Sequence, residues 1–452
     1  MTTRGPSKQR NVGHPHRPGV AAPSRPRQKS YNARLLITLC ALVVLVLAGT
    51  FTWQHFFEDE ALTPAPGHTP FRHYGSFVAR PLTAQQVDKL HHLSAHMSYK
   101  QLASLYVARM SLDEELGQLI MVEYDDQYYS PDLDMMISQL HAGGVIMYEF
   151  QMMTFDQTKR DIAAMQQHAR LPLLISSDEE GGIVHRLTHI YPPRTSALSI
   201  YRTGDPNVAA EQGHKVAHDL LALGINVNLA PDVDVALRPD APDQVTRTFG
   251  YTVDSVEKFA GPYMKAMQSD GVAACIKHFP GLGDAAIDAH FGLPVVNRTK
   301  EQLYAVELAP FKHFIQSEDM LERPGMIMPT DVLMPAIDPV YPAELSPIFM
   351  TDILRNEFGY DGVTLTDALY MKGVEINGKQ ISMPEAGVLA LNAGNDMLLG
   401  PTGAGQMIDM LNGLKEALHD GRLAKSRVDE AATRIIALKM ERHLMPAEPP
   451  QD

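Results

Sequence analysis

From Ser111 onward, short runs recur in which nearly every position is apolar: Gln118–Tyr124, Gly144–Tyr148, Pro172–Ser176, Asn226–Ala230, Ala273–Lys277, Gly325–Met328, Gly362–Thr366 and Asp396–Leu399. Strict alternation would mark strands with one wet face. Consecutive apolar positions instead mark strands covered on both faces, as in a parallel sheet packed under helices. Between the runs, polar positions return with helical spacing, for instance over Pro206–Leu223, Thr252–Ser269, Pro347–Phe358 and Gly403–Leu418. Eight strand–helix units over roughly 335 residues predict an α/β fold, a single (β/α)8 barrel over 101–446. A helix at 426–443 completes the pattern, and the chain beyond it is too short for a second domain.

Before the barrel the pattern changes twice. Residues 1–34 are rich in Pro, Arg, Ser and Gln without apolar periodicity, which predicts a disordered tail. Leu35–Trp53 (LLITLCALVVLVLAGTFTW) is uncharged, and as a helix it would be about 28 Å long, close to the thickness of a bilayer core. Basic residues on its N-terminal side predict a single-pass anchor with the N-terminus inside and the barrel outside the cytoplasm. A cleaved signal peptide is the rival reading, opposed by the long basic lead and the lack of a clear small-x-small site before Trp53. Residues 54–100 read as a stalk opening on Ala61–Gly67, with an amphipathic helix over 83–110 leading into the barrel.

Charge narrows the ligand. The first 34 residues hold eight Lys/Arg and no acid, so the remainder carries 31 basic and 53 acidic side chains, a formal −22. Such a body repels phosphates, which excludes nucleic acid as a partner and suits a neutral ligand. Cys40 falls in the apolar segment and Cys275 in a predicted buried strand, so they are not expected to pair. No Cys/His cluster indicates zinc, and neither metal nor cofactor is expected.

In a barrel of this kind chemistry gathers at the C-terminal ends of the strands. Asp178, Glu180 and Arg186 follow the third run, Asp232 and Asp234 the fourth, and Lys277 and His278 end the fifth. Asp331 follows the sixth, Asp367 ends the seventh, and Asn395–Asp396 open the eighth. Two stretches stand out, Lys277–His290 (KHFPGLGDAAIDAH) and Gly362–Met371 (GVTLTDALYM). A carboxylate ending a buried strand and an Asp-x-His on a Gly-rich loop are what glycosyl transfer needs. One group attacks carbon and the other moves a proton.

These stretches, with Ala108–Val122, Ser177–Leu187 (SDEEGGIVHRL), Gly224–Val235 (GINVNLAPDVDV), Thr246–Gly250, Ile327–Asp338 and Ala393–Leu398, resemble glycoside hydrolase family 3, in particular its single-domain β-N-acetylglucosaminidases. The resemblance implies a retaining glycosidase with Asp367 as nucleophile and His290 as acid/base, tuned by Asp288. An imidazole in this role gives a proton to the leaving oxygen, later takes one from water, and avoids a second anion beside the nucleophile. By the same likeness Lys277, His278, Asp178 and Arg247 bind sugar hydroxyls, and Arg186 stands with them on the rim. Asp234 and Glu180 support it.

The sequence departs from the family pattern at four places. Ile183 stands where an Arg is expected, Leu282 for a second His, Ala289 for the Ser of Asp-Ser-His, and Asp331 for a His after the sixth strand. The leading expectation is a monomeric, membrane-tethered exo-β-N-acetylglucosaminidase acting on cell-wall or chitin-type oligosaccharides. The changed shell leaves two alternatives open. One is a β-glucosidase of the same family, and the other is a catalytically silent sugar-binding protein held at the membrane.

Overall fold

The computed structural model describes residues 97–238 and 246–450. The predicted basic tail, the segment 35–53 and nearly all of the stalk lie outside the described residues. Among the described residues no helix is long and apolar enough to cross a membrane.

Eight parallel strands close into a barrel: β1 (Ile120–Glu123), β2 (Gly144–Ile146), β3 (Leu174–Ser177), β4 (Val227–Asn228), β5 (Ala273–Phe279), β6 (Met326–Pro329), β7 (Val363–Ala368) and β8 (Met397–Thr402). Each strand pairs with its neighbours in sequence, and β1 closes against β8 with Ile120 opposite Leu398. The strands are buried along almost their whole length, so the predicted double-sided covering is what the molecule builds. All eight predicted runs become strands, with adjusted ends. The first run loses Gln118 and Leu119, because Ser111 and Glu114 form a capping box that starts a helix over Leu112–Gln118. Of the predicted helix over 83–110, residues 83–96 lie outside the described residues, and the rest contains a helix over Tyr99–Val107 capped by Ser98.

Helices cover the barrel between strands. Pro206–Leu223 begins on an Asp205 cap with Pro at its first turn and ends at Gly224, whose φ of 99° suits glycine. Val253–Ser269 begins on a Thr252 capping box. Ile348–Glu357 winds with the wider pitch of a π-helix, its last turn closed by Phe358 N–H to the Ile353 carbonyl at 2.9 Å. The C-terminal helix Lys425–Glu441 packs against Tyr99–Val107.

Two features aim side chains at the mouth. Register shifts interrupt β1 between Met121 and Glu123, β5 between Lys277 and Phe279, and β8 between Met397 and Leu399. The chain after β4 stays beside β5, with Val233 N–H donating to the Lys277 carbonyl at 2.9 Å. Gly283 then runs against this segment so closely that a Cβ would stand 1.6 Å from the Val235 carbonyl oxygen.

One rim assignment fails. Asn395 and Asp396 precede β8 and so lie at the N-terminal end, away from the mouth. Asp396 is fully buried there and pairs with Arg355 (2.7 Å), Arg427 (2.7 Å) and Arg434 (3.1 Å). A residue that opens a parallel strand lies at the opposite end from those that finish one, so this cluster supports the fold rather than the site.

Candidate active site

At the C-terminal mouth of the barrel is a cavity of about 240 Å³, lined by Tyr148, Asp178, Glu180, Arg186, Arg247, Lys277, His278, Asp288, His290, Thr330, Asp367 and Tyr370, among others. All eight sequence-predicted site residues border it. The volume is below the roughly 300 Å³ at which ligand pockets usually begin, which suits one ring rather than a chain of them.

The β3–β5 side carries a ladder of alternating charge. Lys277 is buried with its ammonium 2.7 Å from both Asp178 and Glu180. Glu180 also takes a forked pair of 2.8 Å hydrogen bonds from Arg247. Burial works against the charge on Glu180, but Arg247 and Lys277 outweigh it and hold the carboxyl well below its ordinary range. Burial likewise opposes the Lys277 ammonium, and Asp178 and Glu180 together keep it charged. Arg186 lies over the Tyr148 ring, 3.2 Å from Glu149 and 3.9 Å from Asp178.

The loop that presents Asp178 and Glu180 is framed by Glu179. This buried carboxylate accepts from Arg194, Arg186 N–H (2.8 Å) and Leu187 N–H (3.2 Å), and lies 2.6 Å from His185 Nδ1. Ile183, in place of the expected Arg, is 68% exposed on the same loop.

His278 lies with Nδ1 2.8 Å from Asp234 and Nε2 3.3 Å from Arg247. Burial would lower its pKa, yet the Asp234 carboxylate prevails and the net shift is upward. Asp234 also accepts from Leu282 N–H at 2.9 Å, so Leu282 serves this corner through its backbone. Asp232, Asp234 and His278 bring possible ligand atoms within 4.8 Å of one another, a spacing that could suit a cation. Arg247 already places a guanidinium 3.9 Å from Asp232, and burial followed by the Asp234 charge raises Asp232 so that it tends to hold a proton. The donor set therefore fits hydrogen bonding better than a metal.

Across the cavity, Asp367 accepts from Thr330 Oγ at 2.7 Å through one oxygen and from Ala368 N–H at 2.9 Å through the other. Its own N–H donates to Glu344 at 3.1 Å. Asp288 and His290 meet in a local turn: Asp288 Oδ1 accepts from His290 N–H at 2.8 Å and lies 2.8 Å from His290 Nδ1. That contact leaves Nε2 as the outward nitrogen, on a side chain 64% exposed at the rim.

Sequence reasoning missed Thr330, Glu344, Glu123, Tyr148 and Tyr370. Glu123 ends β1 and accepts from the hydroxyls of Tyr148 (3.0 Å), Tyr370 (3.3 Å) and Thr402 (3.4 Å). Burial, only partly offset by these donors, pushes its carboxyl up to about 7. The one available signal was a lone acid finishing an otherwise apolar strand.

The arrangement is that of a closed parallel barrel with a small cavity at its C-terminal mouth, lined by charged and hydroxyl-bearing side chains. The glycosyl hydrolase family 3 N-terminal domain matches residues 111–438, and the chain belongs to glycoside hydrolase family 3. It is 30% identical to β-hexosaminidase A of Pseudoalteromonas piscicida, over 73% of this chain and 61% of that one. It is 33% identical to a β-hexosaminidase of Idiomarina loihiensis, over 59% of this chain and 80% of the relative. Among solved structures, the family 3 β-N-acetylglucosaminidase of Paenibacillus sp. str. FPU-7 superposes with a TM-score of 0.68 at 34% identity, covering 74% of this chain and 63% of that one. The chain thus spans about three fifths of the Pseudoalteromonas and Paenibacillus relatives.

Proposed function

We propose that this protein is a retaining exo-β-N-acetylglucosaminidase that removes terminal β-linked N-acetylhexosamine from cell-wall or chitin-type oligosaccharides. The observation that carries the reading is the pairing, on one cavity, of the Thr330-held Asp367 carboxylate with the Asp288–His290 contact. Family membership and the named relatives support it, and a cavity sized for one ring supports exo action.

In the first step an Asp367 oxygen attacks the anomeric carbon. The glycosidic C–O bond breaks, and His290 gives its proton to the departing oxygen. The Asp288 carboxylate stabilises the imidazolium and orients the ring. In the second step His290 takes a proton from water, the water oxygen attacks the anomeric carbon, and the bond to Asp367 breaks. Two displacements restore the starting configuration. Lys277, His278, Asp178, Arg247 and Arg186 hold the sugar hydroxyls through directional donors and acceptors. The protein works as a monomer, with segment 35–53 holding the barrel on the outer side of the cell membrane.

The test compares hydrolysis of 4-nitrophenyl N-acetyl-β-glucosaminide with the plain β-glucoside, for wild type and D367N. Preference for the acetamido sugar is expected, with kcat falling about 10⁴-fold in D367N, the scale of losing a catalytic carboxylate. Preference for the glucoside would overturn the specificity and keep the mechanism. Full activity in D367N, or no turnover by folded wild type, would sink the reading.

A further inference from the structure

Beside Asp367 lie two carboxyl groups that the proposed chemistry does not use. Asp331 follows β6 next to Thr330, Glu344 comes from the turn Ala343–Leu345, and both are fully buried. Glu344 Oε2 accepts from Asp367 N–H at 3.1 Å. Among the described residues, Glu344 Oε1 and both oxygens of Asp331 receive no hydrogen bond from any protein donor. Two buried carboxylates facing each other without a donor would cost several kcal/mol. The available donor is a proton carried by the pair itself, an acid O–H of one group on the oxygen of the other. Burial is the main cause that raises both groups, taking Asp331 up to about 8 and Glu344 well above its ordinary range.

The pair touches the site on two sides. Glu344 holds the backbone of Asp367. Gly373 lies against the other member so closely that a Cβ there would stand 2.7 Å from the Asp331 Cβ. Gly373 N–H donates to the carbonyl of Ala289, the residue between Asp288 and His290, at 3.0 Å. We propose that Asp331 and Glu344 form a proton-sharing acid pair and act as positioning residues, setting Asp367 against the Asp288–His290 loop.

This rests on the glycosidase reading above. The charged group facing the pair from β7 is Asp367. Around it, Thr330 donates to Asp367 and Asn395 Nδ2 donates to the Glu344 carbonyl at 2.7 Å, both uncharged. Losing the proton leaves two anions in contact and a third at Asp367. The pair then separates, which moves both the Asp367 backbone and the loop seated on Gly373.

The full chain tests this through the pH dependence of kcat on 2,4-dinitrophenyl N-acetyl-β-glucosaminide, from about pH 6 to 10. Dinitrophenolate leaves without protonation, so the ionisation of the general acid drops out of the alkaline limb. Wild type should lose kcat on that limb by about tenfold per pH unit past the pair's ionisation. In D331N an amide N–H faces Glu344 at every pH, so the fall should vanish or move up by about one unit or more, with KM following wild type. Superimposable kcat profiles for D331N and wild type overturn the proposal. Should D331N not fold, E344Q serves, because its amide can donate to Asp331 while its oxygen accepts from Asp367 N–H. An unmoved limb there overturns the proposal equally. Inactive wild type would sink the glycosidase reading and this inference together, whereas active wild type with an unmoved limb sinks this inference alone.

Discussion

A hydroxyl 2.7 Å from a carboxylate oxygen of Asp367 occupies one lone pair there and so orients the group. Thr330 binds one oxygen of Asp367 and Ala368 N–H binds the other, so the attacking lone pair is fixed in direction without a cation on the group itself. Replacing Thr330 by Val keeps the shape and removes the donor. Hydrogen bonds to charged groups contribute about 1.5–3 kcal/mol, so T330V should lower kcat about 10- to 100-fold with little change in KM. Steady-state kinetics on the 4-nitrophenyl substrate would show it, and an unchanged kcat would mean that Thr330 only fills space. At this scale the sequence was readable where chemistry and strand end coincided, as at Asp367, Lys277 and Asp178. Glu344 was not readable: it lies in a Pro-Ala-Glu-Leu turn that looks like solvent-facing loop, and only closure of the barrel brings it under Asp367. Glu123 and Tyr370, 247 residues apart, meet for the same reason.

Among the elements, β8 shows what strand direction does to a polar residue. Thr402 at its end reaches Glu123 at the mouth, while Asp396 at its start gathers three arginines from the neighbouring helices. Strands could be found from apolar runs, but the assignment of Asp396 to the rim ignored which end of the strand it occupies. Burial opposes the Asp396 charge, and Arg355, Arg427 and Arg434 outweigh it, lowering its pKa from 3.8 to about 2. A carboxylate with a depressed folded pKa adds stability above its unfolded pKa and loses it as pH falls through the folded one. The contribution is about 2 kcal/mol at neutral pH, disappearing between about pH 4 and 2. D396N should cost more, about 3–5 kcal/mol, because three partly buried guanidinium groups lose the buried anion they share. Urea titration would show a lower midpoint at pH 7, and a variant as stable as wild type would contradict the account. Because the cluster sits at the end of the barrel away from the mouth, kcat of the folded variant should stay near that of wild type.

The whole molecule joins an acidic barrel to a basic, apolar leader. A body of formal charge −22 repels anionic surfaces, so the proposed membrane attachment is assigned to the leader and not to the barrel. The 19 uncharged residues Leu35–Trp53, flanked by eight basic residues on one side, are the part of the chain with the length and charge bias of an anchor. Fractionation of bacterial cells producing the full chain separates the two fates. An anchored enzyme sediments with membranes, resists an alkaline carbonate wash, enters solution with detergent, and is digested by protease added outside the cytoplasmic membrane. A chain starting at Met97, where the described residues begin, should be soluble with an unchanged kcat/KM, because the residues that line the described cavity run from Ile146 to Leu399. Recovery of the full-length product in the soluble fraction, with a new N-terminus just past Trp53, would identify the segment as a cleaved leader. Protection from external protease while membrane-bound would invert the orientation and place the substrate on the cytoplasmic side.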